Sequence, residues 1–512
     1  MKIGLFKKDY GFTRILNQEK TVWEIFKLNK IKEYSLIIIN SRLGEDESAK
    51  IRRYIYDGGC VLTDAFGIKQ LFNKKISKTY ITSISGKGKL FRNISSINIE
   101  DYGYKIKDAN IGKINNKHPA IYLYKVGKGF IIALPFNLDH LMSDLRYKKT
   151  YLQSIYPPIK ESVSLVSKGD LRRLIVNCFI YLHLIRNKLY FNLWYYPRNY
   201  ESIFTYRVDL DVLNENEMDN IISIIKKHKT RLSWFVNVSN SNNPDKLKEL
   251  AKLNQDIQSH SYYHKIFDSF EENYDSLLKA EKYLSKLNKK PIGFTSPFAM
   301  WNENLGKVLE KLNYLYSSEF TLSYDDFPFY PENSKILQLP IYPACIGLFK
   351  MRIYSINKIK SYLNYLIEKQ YKKQMPLSLY DHPNEGIGEY PEVLDFTLNK
   401  IKSLDNVFIT DMTDFAKWWK KREKVRFNLI NNRIRTNNNS NDIYLRIINP
   451  NYKEARIRLK NQKINLGILN YKDVNEFKDI KIRNIDILKS KMLFSFYYLK
   501  LLFKSIKRRI LV

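Results

Sequence analysis

The sequence predicts an α/β protein: two successive regions in which strands alternate with helices, then a small β module and a basic helix. Three observations predict it. Apolar strand-like runs alternate with helical patterns over residues 1–150, and they do so again over residues 201–422. After the pair Trp418-Trp419 the composition shifts to an Asn-rich turn and short alternating strands. A chain of 512 residues is long enough for two or three domains. Its 44% hydrophobic and 14% aromatic content is that of a globular protein and not of a disordered one.

In residues 1–150, MKIGLF and SLIIIN (35–40) read as strands. A helix begins near Glu45 behind acidic residues, and the turn Asp57-Gly58-Gly59 leads into the strand CVLTD. This βαβ rhythm implies a parallel sheet with helices on its faces. KVGKGFIIALPFN (125–137) has the pattern of an edge hairpin. The arrangement resembles the flavodoxin-like domains of the class I glutamine amidotransferase superfamily. That family's cysteine nucleophile sits in a tight strand-to-helix elbow with flanking glycines, whereas GGCVLTD places Cys60 inside a strand. Cys60 is therefore expected to be a buried structural thiol and the domain to be catalytically empty. Residues 151–200, with a helix at about 170–187 and the aromatic run YFNLWYYPRNY, read as a helical connector packed against the next domain.

Residues 201–422 hold eight strand-like runs: IFTYRV, LSWFVNV, DIQSH, PIGFTSP, LYSSEF, LQLPIY, PLSLYDH and NVFIT. Helical patterns such as DKLKELAKL and YDSLLKAEKYLSKL separate most of them, which argues for a (β/α) barrel. In such a barrel, polar residues where strands end carry the chemistry. Four places stand out. TYRVDLD puts Asp209 and Asp211 on one face of a strand, where two carboxylates repel unless a cation sits between them or one is protonated. SHSYYH spaces His260 and His264 at i, i+4, which aims both imidazoles at one point if the segment is helical. GFTSPFAMWN is an apolar-rimmed turn around Pro297, and LSLYDHPNEG places Asp381 and His382 directly after an apolar strand.

Together these four places resemble the NodB-type polysaccharide deacetylase family, metal-dependent carbohydrate esterases on a distorted (β/α) barrel. DLD and HSYYH match its Asp-pair and His-[Ser/Thr]-x-x-His motifs, with His260 lying 49 residues after Asp211. TSPFA matches its third motif and LSLYDH its last. The resemblance implies that Asp211, His260 and His264 hold a divalent metal. The donor set suits Zn²⁺, while Fe²⁺, Co²⁺ or Mn²⁺ can occupy the same set. It implies Asp209 as general base and His382 as general acid, with the backbone N–H near Phe298 in the third motif, at Pro297, stabilising the oxyanion. Phe298 and Trp301 would form an apolar floor for a sugar ring or acetyl methyl. Asp381 is placed to orient His382. One departure is Thr295, standing where the family has an Arg that pairs with the base, so that Asp209 lacks its partner unless Arg207 or another cation substitutes. The implied function is removal of acetyl groups, N-acetyl foremost, from a polysaccharide or glycan precursor. Two other readings stay open: hydrolysis of a non-sugar C–N amide bond on the same fold, and a glycan- or membrane-binding protein whose barrel has lost turnover.

Residues 423–485 read as the small β module, from DIYLRIINP and ARIRLKN, and residues 486–512 as a basic amphipathic helix. Leu493, Phe494, Tyr497 and Leu501 follow helical spacing, and seven basic residues with no acidic one follow Asp486, so an anionic membrane surface is an expected partner. Overall, 86 Lys and Arg against 52 Asp and Glu give a net charge of +34. No zinc-finger, RNP-type or helix-turn-helix signature accompanies that charge, so no specific nucleic-acid partner is expected. Cys60, Cys178 and Cys345 form no CxxC pair, so neither a disulfide framework nor a thiolate zinc site is suggested. The first residues lack a signal-peptide apolar region, and the longest apolar stretch, 174–185, is shorter than the ~20 residues a membrane span needs. A cytoplasmic location, peripheral to the inner face of the membrane, is the expectation.

Overall fold

The structure is a computed structural model that describes residues 2–151, 160–241, 243–287, 290–322, 324–351, 354–430 and 433–474, with 476, 492, 495 and 499. Nine strands form the first sheet: β1 (Ile3–Leu5), β2 (Trp23–Ile25), β3 (Leu36–Ile39), β4 (Cys60–Asp64), β5 (Ile76–Ser85), β6 (Ile97–Ile106), β7 (Ile111–Ile114), β8 (His118–Val126) and β9 (Gly129–Leu134). Their order is β2-β1-β3-β4-β9-β8-β7-β5-β6. The first five are parallel and the rest add antiparallel pairs, so the sheet is mixed with a parallel core. The hairpin over 125–137, expected at an edge, supplies β9 to the middle of the sheet. β9 pairs β4 on one side and β8 on the other, so it is not an edge, and Ile132 and Leu134 face one apolar core while Ile131 and Ala133 face the other.

Four helices flank this sheet: α1 (Tyr10–Glu19), α2 (Glu45–Tyr56), α3 (Ala65–Phe72) and α4 (Leu138–Ser143). Cys60 lies in β4, fully buried, with Sγ donating to the Leu182 carbonyl at 3.3 Å. Burial pushes its thiol up to about 11, so it is unreactive at neutral pH. The helix read as a connector, α5 (Lys168–Leu184), packs on the first sheet, where Leu171, Leu174, Cys178 and Leu182 share a core with Ile3, Leu36 and Cys60, and reaches the central region through Arg172 and Arg173, which pair with Asp325 and Asp326. After the pair β10 (Tyr147–Tyr151) and β11 (Lys160–Ser164), a further strand, β12 (Tyr190–Leu193), leads to the central domain.

All eight strand-like runs of the central region form strands: β13 (Ser202–Leu210), β14 (Ser233–Val236), β15 (Asp256–Ser259), β16 (Gly293–Phe294), β17 (Tyr316–Ser317), β18 (Leu337–Gln338), β19 (Leu377–Asp381) and β20 (Val407–Ile409). The order is β18-β17-β16-β15-β14-β13-β19, with β20 beside the start of β13, and every pairing is parallel. Eight helices accompany them: α6 (Glu215–His228), α7 (Pro244–Lys252), α8 (Phe270–Leu287), α9 (Glu303–Lys311), α10 (Ile346–Lys350), α11 (Ile356–Lys372), α12 (Pro391–Lys402) and α13 (Met412–Lys424). The result is a parallel half-barrel. Among the described residues no ladder joins β18 to β19; the Tyr342 N–H donates to the Ser378 carbonyl at 2.7 Å across the gap. β18 is two residues long, and Pro340, two residues beyond it, has no N–H to extend a ladder.

The carboxy-terminal strands are β21 (Phe427–Ile430), β22 (Arg433–Thr436), β23 (Tyr444–Ile448), β24 (Lys453–Arg458), β25 (Gln462–Lys463) and β26 (Lys472–Asp473). They form two small sheets, β21-β22-β25 and β12-β23-β24-β26. Part of the Asn-rich segment read as a turn is thus the strand β22, and YFNL is a strand of this module. Trp194, Tyr196, Trp418 and Trp419 join Leu445 and Ile447 in its core. Buried Arg422 donates to the carbonyls of Gln18, Glu19, Leu193 and Trp194 at 2.8–3.3 Å, and Arg14 and Arg172 clasp buried Asp325 at 2.7 and 3.2 Å. Three regions of the chain meet at these charges. The basic helix read over 486–512 lies outside the described residues except for Met492, Ser495 and Leu499. Among the described residues no helix is long and apolar enough to cross a membrane.

Candidate metal centre

Side chains alternate along a strand, so Arg207 and Asp209 of β13 point the same way, and Asp211 follows one residue past its end. Asp211 is the hub. Its Oδ1 lies 3.1 Å from His260 Nε2 and 3.2 Å from His264 Nε2, and its Oδ2 lies 3.7 Å from His382 Nε2. Asp211 Oδ1 and His264 Nε2 are buried without a hydrogen-bond partner among the described residues. The donor atoms of Asp211, His260 and His264 lie within 4.8 Å of one another, close enough for one cation to take all three. Burial opposes the charge on Asp211, but the imidazoles of His260 and His264 and then His382 hold its carboxyl far below the usual carboxylate range.

His260 follows β15 directly, and its N–H donates to the Val236 carbonyl at 2.9 Å, extending the ladder by one bond. Its Nδ1 lies 2.7 Å from the Thr295 carbonyl. A carbonyl only accepts, so Nδ1 carries the proton and Nε2 presents its lone pair to the centre. His264 arrives by a different route from the helix its spacing permits. Residues 260–264 are a tight turn: Ser261 sits at φ +70°, its Oγ donates to the Tyr263 carbonyl at 2.6 Å and meets Ser276 Oγ of α8 at 3.0 Å. The serine between the histidines fastens the turn to a helix, and Tyr263 is largely exposed.

Thr295 is buried, and its Oγ1 donates to the Ser318 carbonyl. The cation facing Asp209 is Arg207, whose Nη2 is 2.6 Å from Asp209 Oδ2. Its Nη1 donates to the Ser318 carbonyl at 2.5 Å and to Ser318 Oγ at 3.2 Å, and the guanidinium lies 5.1 Å from the Tyr380 ring centre. Asp209 Oδ1 keeps no partner among the described residues. Asp381 is buried and holds the backbone of His382, not its ring: its oxygens accept the N–H groups of His382 at 3.0 Å and Ile346 at 2.9 Å. Burial pushes its carboxyl up to about 8.

Pro297 opens a short turn, Pro297–Ala299, whose own hydrogen bonds use the N–H groups of Ala299 and Met300 and not that of Phe298. Phe298 takes φ +58°, a conformation bulky residues avoid, and its ring is 79% exposed with its centre 5.0 Å from that of His264. Trp301 packs against Phe320 and the helix bearing Gly306. Glu319 was not singled out in the sequence. It is buried, accepts the Ser296 N–H at 3.2 Å, contacts Ser317 Oγ, and burial raises its carboxyl to about 7. An acid inside the otherwise apolar and small strand-like run LYSSEF is the available signal.

Residues 209–317 match the polysaccharide deacetylase family. They form a polysaccharide deacetylase domain. The match spans Asp209, Asp211, His260, His264 and the Pro297 turn, while Arg207 and His382 lie outside it. Among solved structures, the chain is similar to a Mycobacterium smegmatis protein described as a polysaccharide deacetylase (14% identity, 46% of this chain and 96% of that one, TM-score 0.40). It is also similar to PuuE allantoinase (17%, 44% and 92%, 0.39) and to a family 4 carbohydrate esterase pseudoenzyme from Bacillus anthracis (17%, 43% and 68%, 0.31). No curated protein matches the chain.

The deacetylase family uses divalent metals, and the donors present fit one: a carboxylate and two imidazoles from separate loops, two of whose donor atoms are buried and unpartnered. Proton competition should be visible. Asp211 raises His264 above the ordinary imidazole value of about 6.5, against the effect of burial. A metal can bind only the neutral ring, so affinity is full above the raised value and falls as pH drops through it. Calorimetric metal titration from pH 8 to pH 5 should show affinity falling before pH reaches about 6.5; affinity flat across that range would contradict the coupling.

Proposed function

We propose that the chain is a metal-dependent hydrolase that removes acetyl groups, N-acetyl foremost, from a polysaccharide or glycan precursor. The observation that carries this reading is one arrangement. Asp211, His260 and His264 converge within a deacetylase domain, and an arginine-clamped Asp209 and His382 flank them.

Asp211, His260 and His264 would hold a divalent ion that would supply Lewis acidity toward the acetyl carbonyl and toward water, with Zn²⁺ the leading choice and Fe²⁺, Co²⁺ or Mn²⁺ able to use the same donors. Asp209 takes the proton of the attacking water on Oδ1, the oxygen that Arg207 leaves free. The Phe298 N–H, unused by its own turn, donates to the developing oxyanion. His382 faces Asp211 through Nε2 and gives its proton to the departing nitrogen, while Asp381 fixes the backbone that carries it. The exposed Phe298 ring beside His264 offers an apolar face to a sugar ring.

Acetate release from N-acetylated oligosaccharides by the metal-loaded protein tests the reading. Release is expected, and His382→Ala should lower kcat by roughly 10²–10⁴-fold while the metal at Asp211, His260 and His264 stays bound. Protein carrying stoichiometric metal that frees no acetate from any glycan tried would overturn it.

A further inference from the structure

Among the described residues, two groups of three His, Cys, Asp or Glu side chains bring one donor atom each within 4.8 Å of one another. One is Asp211, His260 and His264. The other is Cys345, Asp381 and His382, and no part of the proposed reaction uses its thiol.

We propose that Cys345, Asp381 and His382 form a second cation site, for a soft divalent ion such as Zn²⁺ or Cd²⁺. The sequence gives no hint of it, because 36 residues separate Cys345 from Asp381. The fold joins them: Cys345 precedes α10, and Asp381 at the end of β19 accepts the N–H of Ile346, the first residue of that helix. Cys345 and Asp381 are buried, so both are already ordered on rigid elements, and His382 is partly exposed and gives an ion its path inward. Each oxygen of Asp381 accepts one backbone N–H and keeps a second lone pair for a cation. Thiolate, imidazole and carboxylate together suit Zn²⁺ and Cd²⁺ and disfavour Mg²⁺ or Ca²⁺, which take all-oxygen sets. On binding, a metal–sulfur bond replaces the S–H bond and a metal–oxygen bond replaces the O–H bond of the buried Asp381 carboxyl, and both protons leave to solvent with no change of oxidation state.

His382 belongs to both constellations, since its Nε2 also faces Asp211 Oδ2 at 3.7 Å. An ion bound to the ring takes the lone pair that would otherwise carry a proton. On the deacetylase reading, filling the second site removes the general acid, so excess zinc should inhibit.

Titration of the full-length, metal-stripped protein with Cd²⁺, followed by thiolate-to-cadmium charge-transfer absorption and by equivalents bound, tests the site. The wild type should bind two equivalents, one of which produces the thiolate band. Cys345→Ser should lose that band and one equivalent, whereas His260→Ala should keep the band and lose the other. Cys60 and Cys178 are fully buried, so the band reports Cys345. No band under excess Cd²⁺, or a band that survives Cys345→Ser, would overturn the proposal. The activity arm is separate: excess Zn²⁺ should suppress acetate release in the wild type and not in Cys345→Ser. Absence of acetate release under every condition would count against the deacetylase reading, with the cadmium band still deciding the site.

Discussion

Replacing His260 with alanine should reduce bound metal from about one equivalent to near zero at the main centre and abolish acetate release, and His264→Ala should do the same. Each removes one of only three protein donors, and the remaining pair cannot hold a divalent ion against water. His260 should be the more damaging loss. Its ring is buried and fixed at Nδ1 by the Thr295 carbonyl, so truncation also orphans that acceptor and opens a cavity between β15 and β16. His264 is partly exposed and its backbone turn is held independently by Ser261 and Ser276, so its variant should fold normally. Metal analysis of the purified variants by mass spectrometry reads the result. Metal content equal to the wild type's in both would remove Asp211, His260 and His264 as the site.

Arg207→Met should leave the metal in place and cripple turnover. Asp209 and Arg207 are both buried, and removing the cation leaves a buried carboxylate with no partner on either oxygen, at a cost on the order of 3–5 kcal/mol in stability. Without the guanidinium, nothing among the described residues holds Asp209 Oδ2, so Oδ1 is no longer aimed to accept the water proton. The expected outcome is a loss of kcat of at least roughly 100-fold, with metal content near the wild-type value. Arg207→Lys should recover less than charge alone suggests, because lysine cannot reach Asp209 and Ser318 with separate nitrogens of one planar fork. Thermal unfolding alongside kcat separates the two effects. A variant that is destabilised yet turns over at the wild-type rate would show that Arg207 serves packing only.

Much of the central domain was legible before the structure. Strand runs with alternating burial, polar residues at their carboxyl ends and the order of Asp211, His260, Pro297 and His382 are local or nearly local signals, and all eight strands form where the pattern placed them. Residue type and spacing also nominated Arg207 as the stand-in for the absent third-motif arginine. What could not be read is whatever depends on non-local packing. The i, i+4 spacing of His260 and His264 fits a helix equally well, and only contact with Ser276 of α8 selects a turn. The hairpin at 125–137 looks like an edge because only the local partner of β9, β8, can be read from the chain, whereas its second partner, β4, comes from far earlier in the sequence. Aromatic runs such as YFNLWYYPRNY announce burial without saying against what.

The sequence by itself determined the α/β class, the positions of the central strands and the chemistry of the deacetylase donor set, because side-chain alternation and residue type act within a few residues. Only the tertiary structure decided that the barrel stays open between β18 and β19, that α5 belongs to the first sheet, that Arg207 rather than Thr295 faces Asp209, and that Cys345 meets Asp381 and His382. Each of these is settled by groups far apart in the chain competing for the same buried space and the same hydrogen-bond partners, and that competition leaves no period in the sequence.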